Sequence, residues 1–205
     1  EIKSDKLHKF VGDIRNRELV FDTTKAQDSV IHLACISNDP SFELNPELGK
    51  SINYDAFSNV LDGAKNEGVR RFIYASSSSI YGVKEGIKVT EDVKAEPLTD
   101  YSKYKLMCED ILREKGDGLE WTVIRPATVC GYASRLRLDV VVNILTINAL
   151  EKGVIKVFGG PQLRPNIHID DMVDAYIALL EAPKEKIHGE AFNAGGENFT
   201  VDELA

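Results

Sequence analysis

Ile73-Tyr74-Ala75-Ser76-Ser77-Ser78-Ser79-Ile80-Tyr81-Gly82, followed after an acidic interval by Tyr101-Ser102-Lys103-Tyr104-Lys105, is the stretch on which the fold turns. Its first part is an apolar run that breaks into hydroxyls and a glycine, the pattern of a buried parallel strand at the point where it ends in a site. Its second part sets a phenol, Tyr101, and an ammonium, Lys105, four residues apart. On a helix both side chains project from one face, a turn apart. A serine cluster at a strand end with a Tyr–Lys pair on the following helix is the equipment for moving a proton off a sugar or alcohol hydroxyl.

Working outward, residues 6–11 read as a short strand that stops at the turn Gly12-Asp13-Ile14-Arg15. Residues 18–26 read as a brief helix and 29–35 as a buried strand. Apolar residues at helical spacing (Ile52, Ala56, Val60, Leu61, Ala64) predict one helix over 47–66, closed by Gly68. Residues 71–76 are the next strand, 101–115 a helix, and 121–129 another strand, with Pro126 near the point where ladder pairing stops. Strands and helices alternate at βαβ distances, so the sheet is expected to be parallel with helices on both faces. Beyond Gly131 the texture changes: 132–139 is polar and Arg-rich, 140–150 helical, 155–158 a short strand ending at Gly159-Gly160. Residues 170–180 form a long helix, 190–195 a strand, and 200–205 open a further helix.

The expected fold is α/β, a doubly wound parallel sheet of Rossmann type. It lacks its first βαβ unit in this numbering, because no Gly-rich pyrophosphate turn precedes Lys6. Residues 1–130 are read as a dinucleotide-binding domain and 131–205 as mainly a substrate-binding region, with 167–195 partly returning to the sheet.

The net charge of −8 over 205 residues, with no basic stripe, argues against nucleic acid as a partner. A small anionic ligand still needs only a few local arginines or helix N-termini. Three cysteines without CxxC spacing fit a reducing compartment rather than a disulfide scaffold or zinc site, so no metal is expected. No apolar run approaches the ~20 residues of a membrane span, and the start is not a signal peptide. A cytoplasmic protein with no membrane partner is expected.

Taken together, Gly12-Asp13-Ile14-Arg15, His32-Leu33-Ala34-Cys35, Asn53, the Ser76–Gly82 run, Tyr101-xxx-Lys105, Ile124-Arg125-Pro126 and Arg164-Pro165-Asn166-Ile167-His168-Ile169-Asp170-Asp171 form an ordered set. That set resembles the extended short-chain dehydrogenase/reductase family, in its NAD-dependent epimerase/dehydratase branch acting on nucleotide sugars. The resemblance implies a bound NAD, or NADP, bordered by Asp13 and Ile14 at the adenine and lined by Leu33, Ala34 and Cys35. Asn53, Ser76 and Pro126 join the cofactor contacts, as do Tyr101 and Lys105. It implies Tyr101 as catalytic base, Lys105 as its partner, Ser77 as the catalytic hydroxyl, and Ser78, Ser79, Thr128, Asn143 and Arg164 as substrate contacts, Arg164 at a diphosphate. It also implies a homodimer.

A phenol titrates near ~10, too high for a base at neutral pH. Lys105 and a positive nicotinamide ring both favour the phenolate. Tyr101 would then take a sugar-hydroxyl proton as hydride leaves, and a 4-keto intermediate (by family analogy) could take hydride back on its other face: epimerisation with NAD recycled. Family dehydratases carry Asp-Glu directly after the catalytic threonine; Ser78 and Ser79 stand there in this chain, and hydroxyls cannot do carboxylate acid/base work. Decarboxylases, with a glutamate at the Ser79 position, are disfavoured on the same ground. An NAD(P)-dependent ketoreductase of the same fold and a non-catalytic dinucleotide-binding relative are the alternatives. Asn143 is either a satisfied core amide or a substrate ligand, and Asp139 needs Arg135 or Arg137 as compensation beside any diphosphate.

Overall fold

The structure, a computed structural model, describes residues 4–84 and 86–205. The chain forms two compact units, each built from separated segments: Glu1–Tyr74 with Pro97–Trp121, and Ala75–Glu96 with Thr122–Ala205.

The first unit contains β1 (Ser29–His32) and most of β2 (Arg71–Ala75), paired in parallel from Ser29 opposite Arg71 to His32 opposite Tyr74. Its helices are α1 (Arg17–Thr24), α2 (Asp39–Glu43), α3 (Pro46–Lys50), α4 (Phe57–Asn66) and α5 (Asp100–Lys115). Asparagine starts three of them. Asn16, Asn38 and Asn45 each accept from a backbone N–H three residues on, meeting donors that a helix start leaves orphaned. The buried residues of α4, Phe57, Val60, Leu61 and Ala64, recur at 3, 4 and 7 and present one apolar stripe. Gly63 lets α1 approach closely: a Cβ there would stand 3.3 Å from Val20 and 3.4 Å from Phe21. Phe42, Phe57, Phe72, Tyr74 and Leu112 make the core. The buried Arg71 is neutralised by Glu120 at 2.8 Å, and the Glu120 N–H donates to Arg70 O, which begins β3 (Glu120–Pro126) alongside β2.

In the second unit β3 continues beside the end of β2, where Ser76 N–H donates to Ile124 O at 2.8 Å. β6 (Ala191–Ala194) runs parallel on β3, Val123 opposite Ala191 and Pro126 opposite Ala194. A separate small sheet pairs β4 (Thr128–Cys130) parallel to β5 (Leu163–His168), and β5 antiparallel to β7 (Asn198–Thr200). Helices α6 (Val141–Lys152), α7 (Ile169–Glu181), α8 (Lys184–Ile187) and α9 (Val201–Leu204) complete it. Among the described residues no helix is long and apolar enough to cross a membrane.

The parallel α/β architecture agrees with the sequence reading, and four elements correct it. Residues 6–11 are not a strand: they belong to neither sheet of the described residues, and Leu7, Phe10 and Val11 face solvent. Residues 155–158 likewise belong to neither sheet of the described residues, with Phe158 exposed. The single helix over 47–66 is three segments, because a π-helical turn, Ser51–Asp55, separates α3 from α4. The strand over 121–129 is two, because Pro126 lacks an N–H and ends β3.

Candidate functional site

In the first unit, α5 carries the Tyr–Lys pair. Its start is set by a capping box: Ser102 N–H donates to Thr99 Oγ1 at 3.3 Å and Thr99 N–H to Ser102 Oγ at 3.1 Å. That fixes the first turn, so Tyr101 is half-buried while Lys105, one turn on, is 4 % exposed. The Lys105 ammonium stands over two rings, 5.2 Å from the Tyr74 centroid and 5.8 Å from that of Tyr101. A desolvated ammonium is attracted to ring faces of this kind. Lys105 is thus buried against a half-buried Tyr101, and the pair is not a fully exposed surface contact.

The groups packed behind it are held neutral. His32 stacks on Tyr74 at 5.9 Å and is pushed down to about 3 by burial, with the Lys105 charge adding to the effect. Burial pushes the Tyr74 phenol well up, and Cys108 up to about 12. The Cys108 thiol donates to Asn53 O at 3.3 Å.

Asn53 lies in the π-helical turn, 4 % exposed, with its amide taken up by one residue: Ile36 N–H donates to Oδ1 at 2.8 Å and Nδ2 donates to Ile36 O at 3.0 Å. This clamps the segment after β1, where Leu33 and Ala34 are exposed and Cys35 is half-buried. At the turn after residue 11, Asp13 accepts from Arg15 Nη2 at 2.5 Å and from its backbone N–H at 2.9 Å. The Arg15 side chain holds the Asp13 carboxyl down at about 2. Ile14 is half-buried, and its carbonyl accepts from Asn59 of α4 at 3.3 Å.

In the second unit the serine run leaves β2 through a 3₁₀ turn, Ser78–Tyr81, ended by Gly82 at φ +70°, a conformation that favours glycine. Ser76 is buried; Ser77, Ser78 and Ser79 are half-buried. Ser77 caps the turn: its Oγ accepts from Ser79 N–H at 3.2 Å and from the Ser79 hydroxyl at 2.9 Å.

Beneath the turn lies a network that the sequence reading does not contain. The buried Arg125 donates from Nη1 to the Tyr81 hydroxyl at 2.6 Å and to Glu91 O at 3.2 Å. Tyr81 donates to Asn193 Oδ1 at 2.7 Å, and Asn193 N–H donates to the Glu91 carboxylate at 2.7 Å. An arginine inside the apolar run of residues 121–125 was the available signal, since a buried guanidinium must find acceptors.

The remaining expected substrate contacts differ in how free they are. Asn143 accepts from Gly131 N–H at 3.0 Å and donates to Arg137 O at 2.8 Å, so its amide is satisfied by main chain. Arg137 holds Asp139 through two bonds of 3.0 and 2.6 Å and lowers its carboxyl. Thr128 opens β4, half-buried, and Pro126 closes β3. Arg164 lies exposed on β5, in no ion pair among the described residues. Among those residues no cluster of His, Cys, Asp or Glu could hold a metal ion.

The sequence matches the profile of the NAD dependent epimerase/dehydratase family over residues 2–195. It is 25 % identical over 205 residues to a UDP-glucose 4-epimerase of Lactobacillus helveticus, covering 91 % of this chain and 62 % of that one. It is 31 % identical over 175 residues to an uncharacterized UDP-glucose epimerase, YtcB, of Bacillus subtilis, covering 82 % and 53 %. Among solved structures it is similar to UDP-glucuronic acid 4-epimerase from Bacillus cereus in complex with UDP-glucuronic acid and NAD. There the TM-score is 0.81 with 31 % identity, over 93 % of this chain and 60 % of that chain. MoeE5 in complex with UDP-glucose and NAD gives 0.81 with 28 % identity, over 95 % and 65 %. The chain thus spans less than two thirds of the length of these relatives.

Proposed function

The chain belongs to the NAD dependent epimerase/dehydratase family, and from that premise we propose that its protein is an NAD-dependent epimerase of a nucleotide-linked sugar, acting through a 4-keto intermediate. The observation that carries this reading is the Lys105 ammonium, buried and 5.8 Å from the ring of Tyr101. A phenol can serve as base near neutral pH only with such a charge beside it.

The first unit's donor set suits a dinucleotide. Leu33 and Ala34 form an exposed apolar strip just past the end of β1, and Asn53 holds the backbone there rigid. Leu33, Ala34, Cys35, Asp13 and Ile14, with Ser76, Tyr101, Lys105 and Pro126, are the residues proposed to hold NAD; Asn53 supports them from behind. When bound, the nicotinamide supplies a hydride acceptor that can return hydride to the opposite face of the sugar. Tyr101 takes the hydroxyl proton and later gives it back. Lys105 keeps the phenolate favourable, and Ser77 donates a hydrogen bond to the reacting oxygen. Arg164 is exposed and available to a diphosphate.

Epimerisation is favoured over dehydration because the turn after Ser77 holds hydroxyls at Ser78 and Ser79, with no carboxylate to eliminate water. The test is to offer the full-length protein a panel of UDP-, GDP-, CDP- and dTDP-sugars and follow inversion at C4 or C5 by NMR. Tyr101→Phe should lower kcat by about 10²–10⁴-fold, the worth of a positioned base, with NAD affinity retained. Full activity in that variant ends the proposal.

A further inference from the structure

The family resemblance counts Ser79 among the substrate contacts, but the geometry points to a different task. A serine oxygen has one hydrogen to give and two lone pairs to receive. Ser77 Oγ receives the Ser79 N–H at 3.2 Å and the Ser79 O–H at 2.9 Å. Both acceptor positions of Ser77 are therefore occupied by one residue, through its main chain and its side chain. The Ser77 hydrogen meets no acceptor among the described residues.

We propose that Ser79 is a positioning residue that makes Ser77 a donor only. This rests on the reading of Ser77 as the group that hydrogen-bonds the reacting sugar oxygen. The substrate hydroxyl has a single hydrogen. A freely rotating Ser77 would accept that hydrogen part of the time, turning it away from the base and leaving the serine's own hydrogen misdirected. With both lone pairs of Ser77 filled, the substrate hydrogen cannot go to Ser77, and the Ser77 hydrogen is left for the oxygen as negative charge develops on it. Preorganised donors of this sort act where charge appears in the transition state, so their loss shows in kcat more than in KM. The 3₁₀ geometry makes the arrangement possible, because it brings residue 79 back over the hydroxyl of residue 77.

The experiment is a cycle on the full-length enzyme with Ser77→Ala, Ser79→Ala, Ser79→Thr and the Ser77→Ala/Ser79→Ala double variant, measuring kcat and KM separately. Ser79→Ala should lower kcat about 5–10-fold with KM within about twofold, well below the 10²–10³ typical of deleting a transition-state donor outright. Ser79→Thr restores the hydroxyl and should recover most of that loss. In the Ser77→Ala background, Ser79→Ala should cost nothing further, since there is no hydroxyl left to orient. A loss that persists undiminished in that background, or that falls on KM alone, means Ser79 touches the substrate directly and overturns the proposal. If Ser77→Ala itself retains full kcat, the reading of Ser77 fails, and this proposal with it. Thermal unfolding of each variant separates loss of structure from loss of orientation.

Discussion

His32 offers a quantitative check on the core behind Lys105. It is 6 % exposed, ringed by Phe57, Phe72 and Tyr74 at centroid distances of 5.6, 6.5 and 5.9 Å. Burial, with help from Lys105, takes it from the ordinary 6.5 down to about 3. The folded value is depressed, so below about 6.5 the unfolded chain binds a proton that the folded chain refuses, and stability falls as the pH drops toward about 3. With those two values the loss is negligible near pH 7.5 and about 2 kcal/mol near pH 5. His32→Phe places a fourth apolar ring in the same cluster and removes the proton linkage. Urea unfolding of the full-length protein and the variant, at about pH 7.5 and about pH 5, gives two differences in stability. Whatever the ring change costs in packing is common to both pH values and cancels. The variant should gain about 2 kcal/mol on wild type between the higher and lower pH. A gain under about 0.5 kcal/mol would mean that His32 titrates normally in the fold and that its site is wet.

Three further outcomes follow from the same geometry. Tyr81→Phe deletes one oxygen, taking one acceptor from the buried Arg125 guanidinium and the donor from Asn193 Oδ1; it should cost about 1–3 kcal/mol in urea unfolding, and a cost below about 0.5 refutes the network. Asn53→Ala leaves the Ile36 N–H and C=O without their amide partner; it should lower stability by about 2 kcal/mol, or Tm by about 4–8 °C, and an unchanged hydrogen-exchange rate at the Ile36 amide counts against it. Cys108, pushed up to about 12, should resist iodoacetamide near pH 8 in the native protein and react fully in urea; native labelling at a free-thiol rate contradicts its burial.

The strands β1, β2, β3 and β6 were legible because each is an apolar run bounded by breakers, and their parallel pairing follows from the helices between them. The run of residues 6–11 is apolar enough to read as a strand, yet a strand exists only where a neighbouring strand supplies its hydrogen bonds, and among the described residues the run belongs to neither sheet. The π-helical turn was illegible for the opposite reason. Helical spacing continues through residues 51–55, and the extra residue per turn is dictated by Asn53 reaching Ile36, 17 positions away.

The same contrast separates the parts of the candidate site. Tyr101 and Lys105 sit one helical turn apart, so a local rule suffices to put them on one face, and their reading depends on nothing distant. Asn53, Asn143 and Ser79 carry groups equally able to serve main chain or ligand, and residue type alone does not rank those uses. What ranks them is backbone left unsatisfied nearby: the Ile36 amide, the Gly131 N–H and the Ser79 N–H each need a partner. A buried backbone group without one costs about as much as a lost hydrogen bond in every molecule at every moment, whereas a ligand contact is made only when the ligand is present. Asn53 and Asn143 accordingly serve the chain, and Ser77 can offer its hydrogen outward because Ser79 already meets its lone pairs from within.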